Sequence, residues 1–180
     1  MKTDEALRRV RTNDTTLTTL DLVSMEVGER LGALEWNTTP RTLKLGYNRL
    51  GEGGGVAVAG ALERNTTLTT LKLGYNRLGE GGGAAVAGAL ERNTTLATLN
   101  LGYNGLGEDF GVTVADALEK NTTLTTLILS GNGVHVDTME RVRMLLSGRE
   151  VPAGSADVEV VSVKAALAAP PRGTKRDAPG

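Results

Sequence analysis

Leucine recurs along the chain in the spacing L-x-x-L-x-L-x-x-N-x-L, and each regular copy stands 28 residues after the one before it, as Leu96 follows Leu68. Two such copies are Leu68, Leu71, Leu73, Asn76, Leu78 and Leu96, Leu99, Leu101, Asn104, Leu106. Leucines that alternate with other residues predict a short strand with one buried face. A fixed period of this size indicates a tandem array, in which each unit buries its apolar face by stacking on its neighbours.

A second pattern follows each predicted strand. After the glycine-rich turn, apolar positions at Gly83, Val86, Ala87 and Leu90 have the spacing i, i+3, i+4, i+7 of a helix. Each unit is therefore a strand followed by a full helix. Strands are predicted around Leu20–Leu22, Leu43–Leu45, Leu71–Leu73, Leu99–Leu101 and Leu127–Leu129.

This combination of leucine spacing, asparagine position and helix resembles the ribonuclease-inhibitor-like class of leucine-rich repeats, which also occurs in NOD-like receptors and in Ran GTPase-activating protein. The resemblance implies an α/β fold, a leucine-rich-repeat solenoid. In that fold a curved parallel sheet lines the concave face and helices cover the convex face. It also implies a role in noncovalent protein binding, since concave solenoid surfaces are used in that way.

The repeat pattern sets the expected domain boundaries. Residues 1–147 are predicted to form the solenoid, with a degenerate first unit, in which Met25 stands at the asparagine position, and about four regular repeats. Thr3–Val10 is expected to be the helix of a preceding half-repeat. Residues 148–180 are predicted to form a C-terminal tail, in which the alternation of 158–163 suits a capping strand and the residues from Ala165 onward are expected to be disordered. The basic cluster near Lys175 is interpreted as solvated tail rather than as a targeting signal.

Composition narrows the class of protein. A formal net charge of −1 argues against a general nucleic-acid binder. The chain has no cysteine, which favours a reducing compartment, and it shows neither a secretory segment nor a long apolar run. These features predict a cytoplasmic protein without a membrane partner, and they leave the oligomeric state open. Five N-x-T triplets begin at Asn13, Asn37, Asn65, Asn93 and Asn121, and we interpret these asparagines as left-handed helix ends rather than as glycosylation sites.

Nothing in the sequence indicates catalysis, a cofactor or a metal. Gly79–Ala84 satisfies the dinucleotide pattern G-x-G-x-x-G/A, but the same turn recurs at Gly51 and no Lys-Ser or Lys-Thr pair follows it. His135 is the only histidine, so it has no second histidine or cysteine with which to build a metal site. We therefore predict no catalytic residue, no cofactor-binding residue and no metal ligand.

Two sets of residues have predicted roles, one structural and one in partner binding. The asparagines of the repeat are predicted to bond backbone groups inside the turns, as a structural ladder formed by Asn48, Asn76, Asn104 and Asn132. Residues that stack in columns on the concave face are predicted to form an aromatic and basic stripe for a partner. The stripe consists of Lys44, Tyr47, Arg49, Lys72, Tyr75, Arg77, Asn100 and Tyr103.

The predicted function is a non-catalytic protein–protein interaction module whose partner offers an acidic surface, since Lys44 and Lys72 should lie on adjacent strands with only Asp21 nearby to compensate. One alternative is a regulator of an enzyme, such as an inhibitor or a GTPase activator. A further alternative is a repeat fragment without a dedicated partner, because the repeats differ from one another at few positions.

Overall fold

The computed structural model describes residues 16–26 and 40–149, together with residues 5, 8, 9, 12 and 14. Of the predicted Thr3–Val10 helix it describes Glu5, Arg8 and Arg9, which are helical. The predicted capping strand 158–163, the tail around it, and the triplet residues Asn13 and Asn37 lie outside the described residues.

Short strands and helices alternate along the chain. The strands are β1 (Thr19–Asp21), β2 (Thr42–Lys44), β3 (Thr70–Lys72), β4 (Thr98–Asn100) and β5 (Thr126–Ile128). The helices are α1 (Gly51–Arg64), α2 (Gly79–Leu90), α3 (Phe110–Lys120) and α4 (Val136–Leu146). All strand pairs are parallel and the sheet order is β1-β2-β3-β4-β5, so the predicted α/β solenoid is confirmed.

Each strand begins one residue earlier than the leucine pattern predicts and is only three residues long. The pairing nevertheless continues past the assigned strand, because the amide of Leu45 donates to the carbonyl of Lys72 at 2.8 Å. The strands stay short because the backbone enters the left-handed region soon after them, at Tyr47 and its equivalents.

The core lies between the sheet and the helices. Every strand places a leucine at its centre, and Leu20, Leu71 and Leu99 are at most 1% exposed. The helices contribute valine, alanine and leucine to the same apolar cluster, for example Val86 and Leu90. Because neighbouring strands pair in register, equivalent leucines form continuous columns, and each repeat covers the apolar face of the next.

Buried asparagines join the turns of successive repeats. The Nδ2 group of Asn76 donates to the carbonyls of Leu73 in its own repeat and Leu45 in the preceding one, both at 2.8 Å. Its Oδ1 atom accepts the amide of Asn48, and Asn104 in turn accepts the amide of Asn76. Since Asn132 makes the same kind of contacts one repeat further on, the backbone groups of these turns are paired although water does not reach them.

A second set of asparagines links the other end of the repeats, and here one prediction is wrong. Asn65 and Asn121 end their helices with φ of −77° and −79°, which is extended rather than left-handed backbone. Their side chains explain why: Oδ1 of Asn121 accepts the amides of Thr123 and Leu124, which holds the turn, while Nδ2 donates to the carbonyl of Leu90 at 2.7 Å. Asn93 makes equivalent bonds. These asparagines form a second structural ladder.

The helices pack closely where glycines face each other. A Cβ atom on Gly55 of α1 would lie 2.6 Å from the Cα atom of Gly82 in α2, a distance that real side chains do not tolerate. The glycines therefore allow the first two helices to approach each other more closely than any other residue would permit.

Candidate protein-binding surface

The sheet face turned away from the helices carries the predicted columns. Lys44 pairs in register with Lys72, Lys72 with Asn100, and Asn100 with Ile128. Because side chains alternate along a strand, the neighbouring leucines point into the core and these residues point away from it. Lys44, Lys72 and Asn100 are all half-buried. We call the eight residues Lys44, Tyr47, Arg49, Lys72, Tyr75, Arg77, Asn100 and Tyr103 the concave stripe.

The positive charges of the concave stripe have few partners. Lys44 lies 3.3 Å from Asp21, measured from Nζ to Oδ2. Within the described part of the chain, Arg49, Lys72 and Arg77 form no ion pair. Arg49 and Arg77 are moreover exposed.

The helical side of the solenoid is different, because its cations are paired between repeats. Arg92 bonds Glu63 at 2.7 Å and Lys120 bonds Glu91 at 2.8 Å. The contact with Glu91 raises the pKa of Lys120 above its ordinary value. Arg141 reaches two carboxylates of the preceding helix. Arg49, Lys72 and Arg77 thus lack, among the described residues, the carboxylate partners that these cations of the helical side have.

Three tyrosines form a continuous stack along the stripe. The ring centroids of Tyr47 and Tyr75 are 4.4 Å apart and those of Tyr75 and Tyr103 are 4.5 Å apart, with interplanar angles of 9° and 10°. The side chain of Tyr103 in turn lies over Gly131, whose hypothetical Cβ atom would be 2.4 Å from the ring. Because the ring faces cover one another, the stack presents ring edges and hydroxyl groups to its surroundings.

The central tyrosine is affected by its neighbours. Loss of solvation raises the pKa of Tyr75 above its ordinary value, and the nearby phenols of Tyr47 and Tyr103 raise it further. Like that of an ordinary tyrosine, this hydroxyl is protonated at neutral pH, so it is able to donate a hydrogen bond to an acceptor such as a carboxylate.

The backbone beneath the stripe is strained. Five of its residues have φ between 54° and 61°: Tyr47, Arg49, Tyr75, Arg77 and Tyr103. The left-handed region costs a residue with a side chain roughly 1–2 kcal/mol. In later repeats the same positions are occupied by Gly105, Gly131 and Gly133, which adopt positive φ at little cost.

Asn100 of the stripe also bonds the backbone. Its Oδ1 atom accepts the amide of Gly102 at 2.9 Å. Sequence reasoning placed the tyrosines in one column but missed their face-to-face stacking and the left-handed backbone. The signal for the stacking was present, since identical aromatic residues at the repeat period must lie about 4.8 Å apart on neighbouring strands.

The chemistry of the described residues is otherwise simple. They contain no group of three or more potential metal ligands from histidine, cysteine, aspartate and glutamate. None of the helices within the described ranges is both long and apolar enough to cross a membrane. His135 begins α4, where its Nδ1 atom accepts the amide of Asp137 at 3.4 Å.

Comparisons with known proteins agree with this architecture. The family model described as Leucine Rich repeat matches residues 64–87, 92–109 and 120–137. A solved structure titled Leiomodin-1 Actin-Binding Site 2 is 31% identical over 80% of this chain and 87% of that chain, with a TM-score of 0.72. The tropomodulin C-terminal domain of Caenorhabditis elegans is 17% identical over 81% of this chain and 92% of that chain, with a TM-score of 0.70, and this likeness shows the fold alone. No curated protein sequence gives a significant match.

Repeated parallel strands, returning helices and buried asparagine ladders define an α/β solenoid. The matching repeat model and the similar solved structures place it more narrowly. The chain belongs to the leucine-rich-repeat family.

Proposed function

We propose that the protein is a non-catalytic protein–protein interaction module that binds an acidic protein partner on the concave stripe. The uneven distribution of ion pairs is the observation that carries this proposal. Arg92, Lys120 and Arg141 on the helical side are paired with carboxylates of the preceding repeat, whereas Arg49, Lys72 and Arg77 have no carboxylate partner among the described residues. Closely spaced cations on adjacent strands repel one another, and an acidic partner would remove that repulsion.

The strained backbone gives separate support. Tyrosine and arginine occupy positions where glycine would avoid the steric cost, as Gly131 and Gly133 do in a later repeat. Stacking offsets part of the cost at the tyrosines, at about 0.5–1.5 kcal/mol per aromatic pair. Among the described residues, Arg49 and Arg77 have no such stacking contact. Strain of this kind is more often retained at functional sites than elsewhere, so these side chains favour a binding role.

Two matched double variants test the site. Lys44→Glu with Lys72→Glu should abolish binding of a protein captured from the native cell extract. Arg64→Glu with Arg92→Glu, on the helical side of the solenoid, should leave that binding intact. We also expect the affinity for the captured partner to fall when salt is added, because surface charges are screened over about 8–10 Å at physiological ionic strength. Loss of the partner in the helix variant but not in the stripe variant would show that the site is wrongly placed.

Arg77→Gly separates function from stability. It removes one cation of the stripe and relieves a left-handed residue with a side chain. We expect weaker binding together with an unchanged or higher free energy of unfolding, by up to about 1 kcal/mol. Urea denaturation and binding of the captured partner, measured on the same preparation, check both parts.

Actin is a second candidate partner. The similar structure at 31% identity bears a title that describes an actin-binding site, which is the specific observation in its favour. Co-sedimentation of the full chain with actin filaments tests it directly. If the stripe is the site, the Lys44→Glu/Lys72→Glu variant stays in the supernatant.

Finer assignments stay proposals as well. We propose the ribonuclease-inhibitor-like class because each of the strands β2 to β5 is followed by a helix of 11 to 14 residues, and hydrogen bonds between equivalent groups recur at a separation of 28 residues. A cytoplasmic location is favoured by the cysteine-free composition. Regulation of an enzyme and a repeat fragment without a dedicated partner are the alternatives, and the identity of a captured protein would distinguish them.

A further inference from the structure

At the C-terminal end of the solenoid, the apolar core is only partly covered by the described residues. In β5 and the segment that follows it, apolar side chains are half-buried, whereas their equivalents one repeat earlier are at most 1% exposed. The half-buried residues are Leu127, Val134 and Leu146, and their equivalents are Leu99, Leu106 and Leu118. A further repeat would cover these half-buried side chains.

The backbone at the same edge lacks partners. In the preceding repeat the amides of Leu101 and Tyr103 donate to the next strand, at 2.9 and 2.8 Å. The equivalent amides of Leu129 and Gly131 have no backbone partner within the described ranges. An open edge of this kind is a template for a further strand.

The chain itself begins another repeat at this end. Arg149 stands where the next asparagine of the second ladder would be, 28 residues after Asn121. Its Nη2 atom donates to the carbonyl of Leu118 at 2.9 Å, 31 residues earlier, just as Asn121 donates to the carbonyl of Leu90, also 31 residues earlier. A second bond reaches the carbonyl of Leu124 at 2.7 Å. Arg149 therefore replaces the donor half of a ladder asparagine, but its guanidinium cannot accept the amides of a following turn.

The sequence beyond Arg149 contains the leucine-rich spacing once more, with valine in place of leucine. Val158, Val161 and Val163 have the same i, i+3, i+5 spacing as Leu124, Leu127 and Leu129. The separation is 34 residues instead of 28, so six extra residues fall between the ladder position and the apolar pattern. Pro152 and Gly154 lie in this insertion and suit a loop, while β-branched valine favours a strand.

We propose that residues 158–163 dock on the open edge of β5 as a sixth parallel strand, with Val161 beside Leu127 and Ser162 beside Ile128. The valines cover the half-buried end of the core, and the strand pairs with the amides of Leu129 and Gly131. The connecting segment is long enough for this docking, because the nine peptide units from Arg149 to Val158 span up to roughly 30 Å when extended. This surface is separate from the concave stripe and does not depend on its function.

Cysteine pairing tests both the occupant and its register, since the natural chain has no cysteine. In the full-length protein, Ile128→Cys with Ser162→Cys should form an intramolecular disulfide under mild oxidation, because paired residues on neighbouring strands have a suitable Cα separation. The matched control is Ile128→Cys with Ala156→Cys, which is the pair expected if the 28-residue period simply continued. We expect crosslinking in the first variant and not in the second.

The alternatives give different products. Disulfide dimers on a non-reducing gel, in place of the intramolecular product, would show that a second copy of the chain covers the edge. Crosslinking of position 156, or of neither position, would also overturn the proposal.

Hydrogen exchange gives an independent readout. Val161→Asp should accelerate exchange of the Leu129 and Gly131 amides by on the order of tenfold, whereas Ser162→Asp, on the outer face, should not. Equal exchange in the two variants and the natural protein would contradict docking.

Discussion

At the scale of single residues, buried asparagine side chains stabilise the turns through hydrogen bonds to the backbone. Asn93 is 4% exposed, and its side chain makes four bonds to backbone groups: Nδ2 donates to the carbonyls of Leu62 and Asn65, and Oδ1 accepts the amides of Thr95 and Leu96. One side chain thus holds a turn of its own repeat and binds two carbonyl groups of the preceding repeat. This dual role explains why the N-x-T triplet recurs without any need for a sugar attachment.

Asn93→Ala should therefore be costly. The change leaves buried carbonyl and amide groups without partners, and we expect the free energy of unfolding to fall by at least about 1–3 kcal/mol. Its neighbour Thr94 is exposed, so Thr94→Ala should stay within about 0.5 kcal/mol of the natural protein. Urea denaturation of both variants checks the difference. If the two variants unfold at the same urea concentration, the second ladder is not a stabilising element.

At the scale of secondary-structure elements, the helices are shaped by glycine in two different ways. Gly60 lies within α1 with nothing within 4 Å of a hypothetical Cβ atom, so it is not needed for packing. Gly55, in the same helix, faces Gly82 of α2 at a distance that excludes a side chain. The same residue type therefore weakens the isolated helix at one position and permits close helix packing at the other.

Alanine substitutions separate these two effects. Gly60→Ala should raise the free energy of unfolding by about 0.5–1 kcal/mol, because alanine loses less backbone freedom on folding. Gly55→Ala should lower it by about 1–3 kcal/mol, because the added methyl group forces α1 and α2 apart. Thermal unfolding followed by circular dichroism measures both. Stabilisation by Gly55→Ala would show that the helices do not approach as closely as described.

At the scale of the whole molecule, each repeat is stabilised by its contacts with the repeats directly beside it. Each strand pairs only with the strands beside it, and the ladders and the ion pair between Arg92 and Glu63 also join adjacent repeats. The consequence is that a repeat in the middle is supported on two sides and a terminal repeat on one.

Equivalent leucines in different repeats show this dependence. Leu90 in α2 is fully buried, and Leu90→Ala should lower the free energy of unfolding by about 2–5 kcal/mol. Leu146 holds the same position in α4 but is only half-buried, so Leu146→Ala should cost less than about 2 kcal/mol. Urea midpoints of the two variants test the difference, and equal shifts would show that Leu146 is as fully buried as Leu90.

The concave stripe was only partly predictable. The repeat period and the alternation of strands place Lys44 beside Lys72 and the tyrosines in one column, because parallel register follows from the spacing alone. Whether those cations have partners depends on side chains from other repeats, and the left-handed backbone of Arg49 and Arg77 depends on how each turn leaves its strand. Neither the ion pairing of these cations nor the left-handed backbone can be predicted from a local sequence pattern.

The sequence by itself determined the architecture, since a regular spacing of leucine and asparagine can bury its apolar positions only by stacking strand on strand and helix on helix. It also determined the order of the sheet and the positions of the first asparagine ladder. Tertiary structure alone decided the second ladder, the approach of Gly55 to Gly82 and the face-to-face geometry of the tyrosine stack. It also decided the contrast between paired cations on the helical side and Arg49, Lys72 and Arg77, which form no ion pair within the described part of the chain. The physical reason is that these features are contacts between residues about one repeat apart, and their geometry depends on how neighbouring repeats are rotated and spaced.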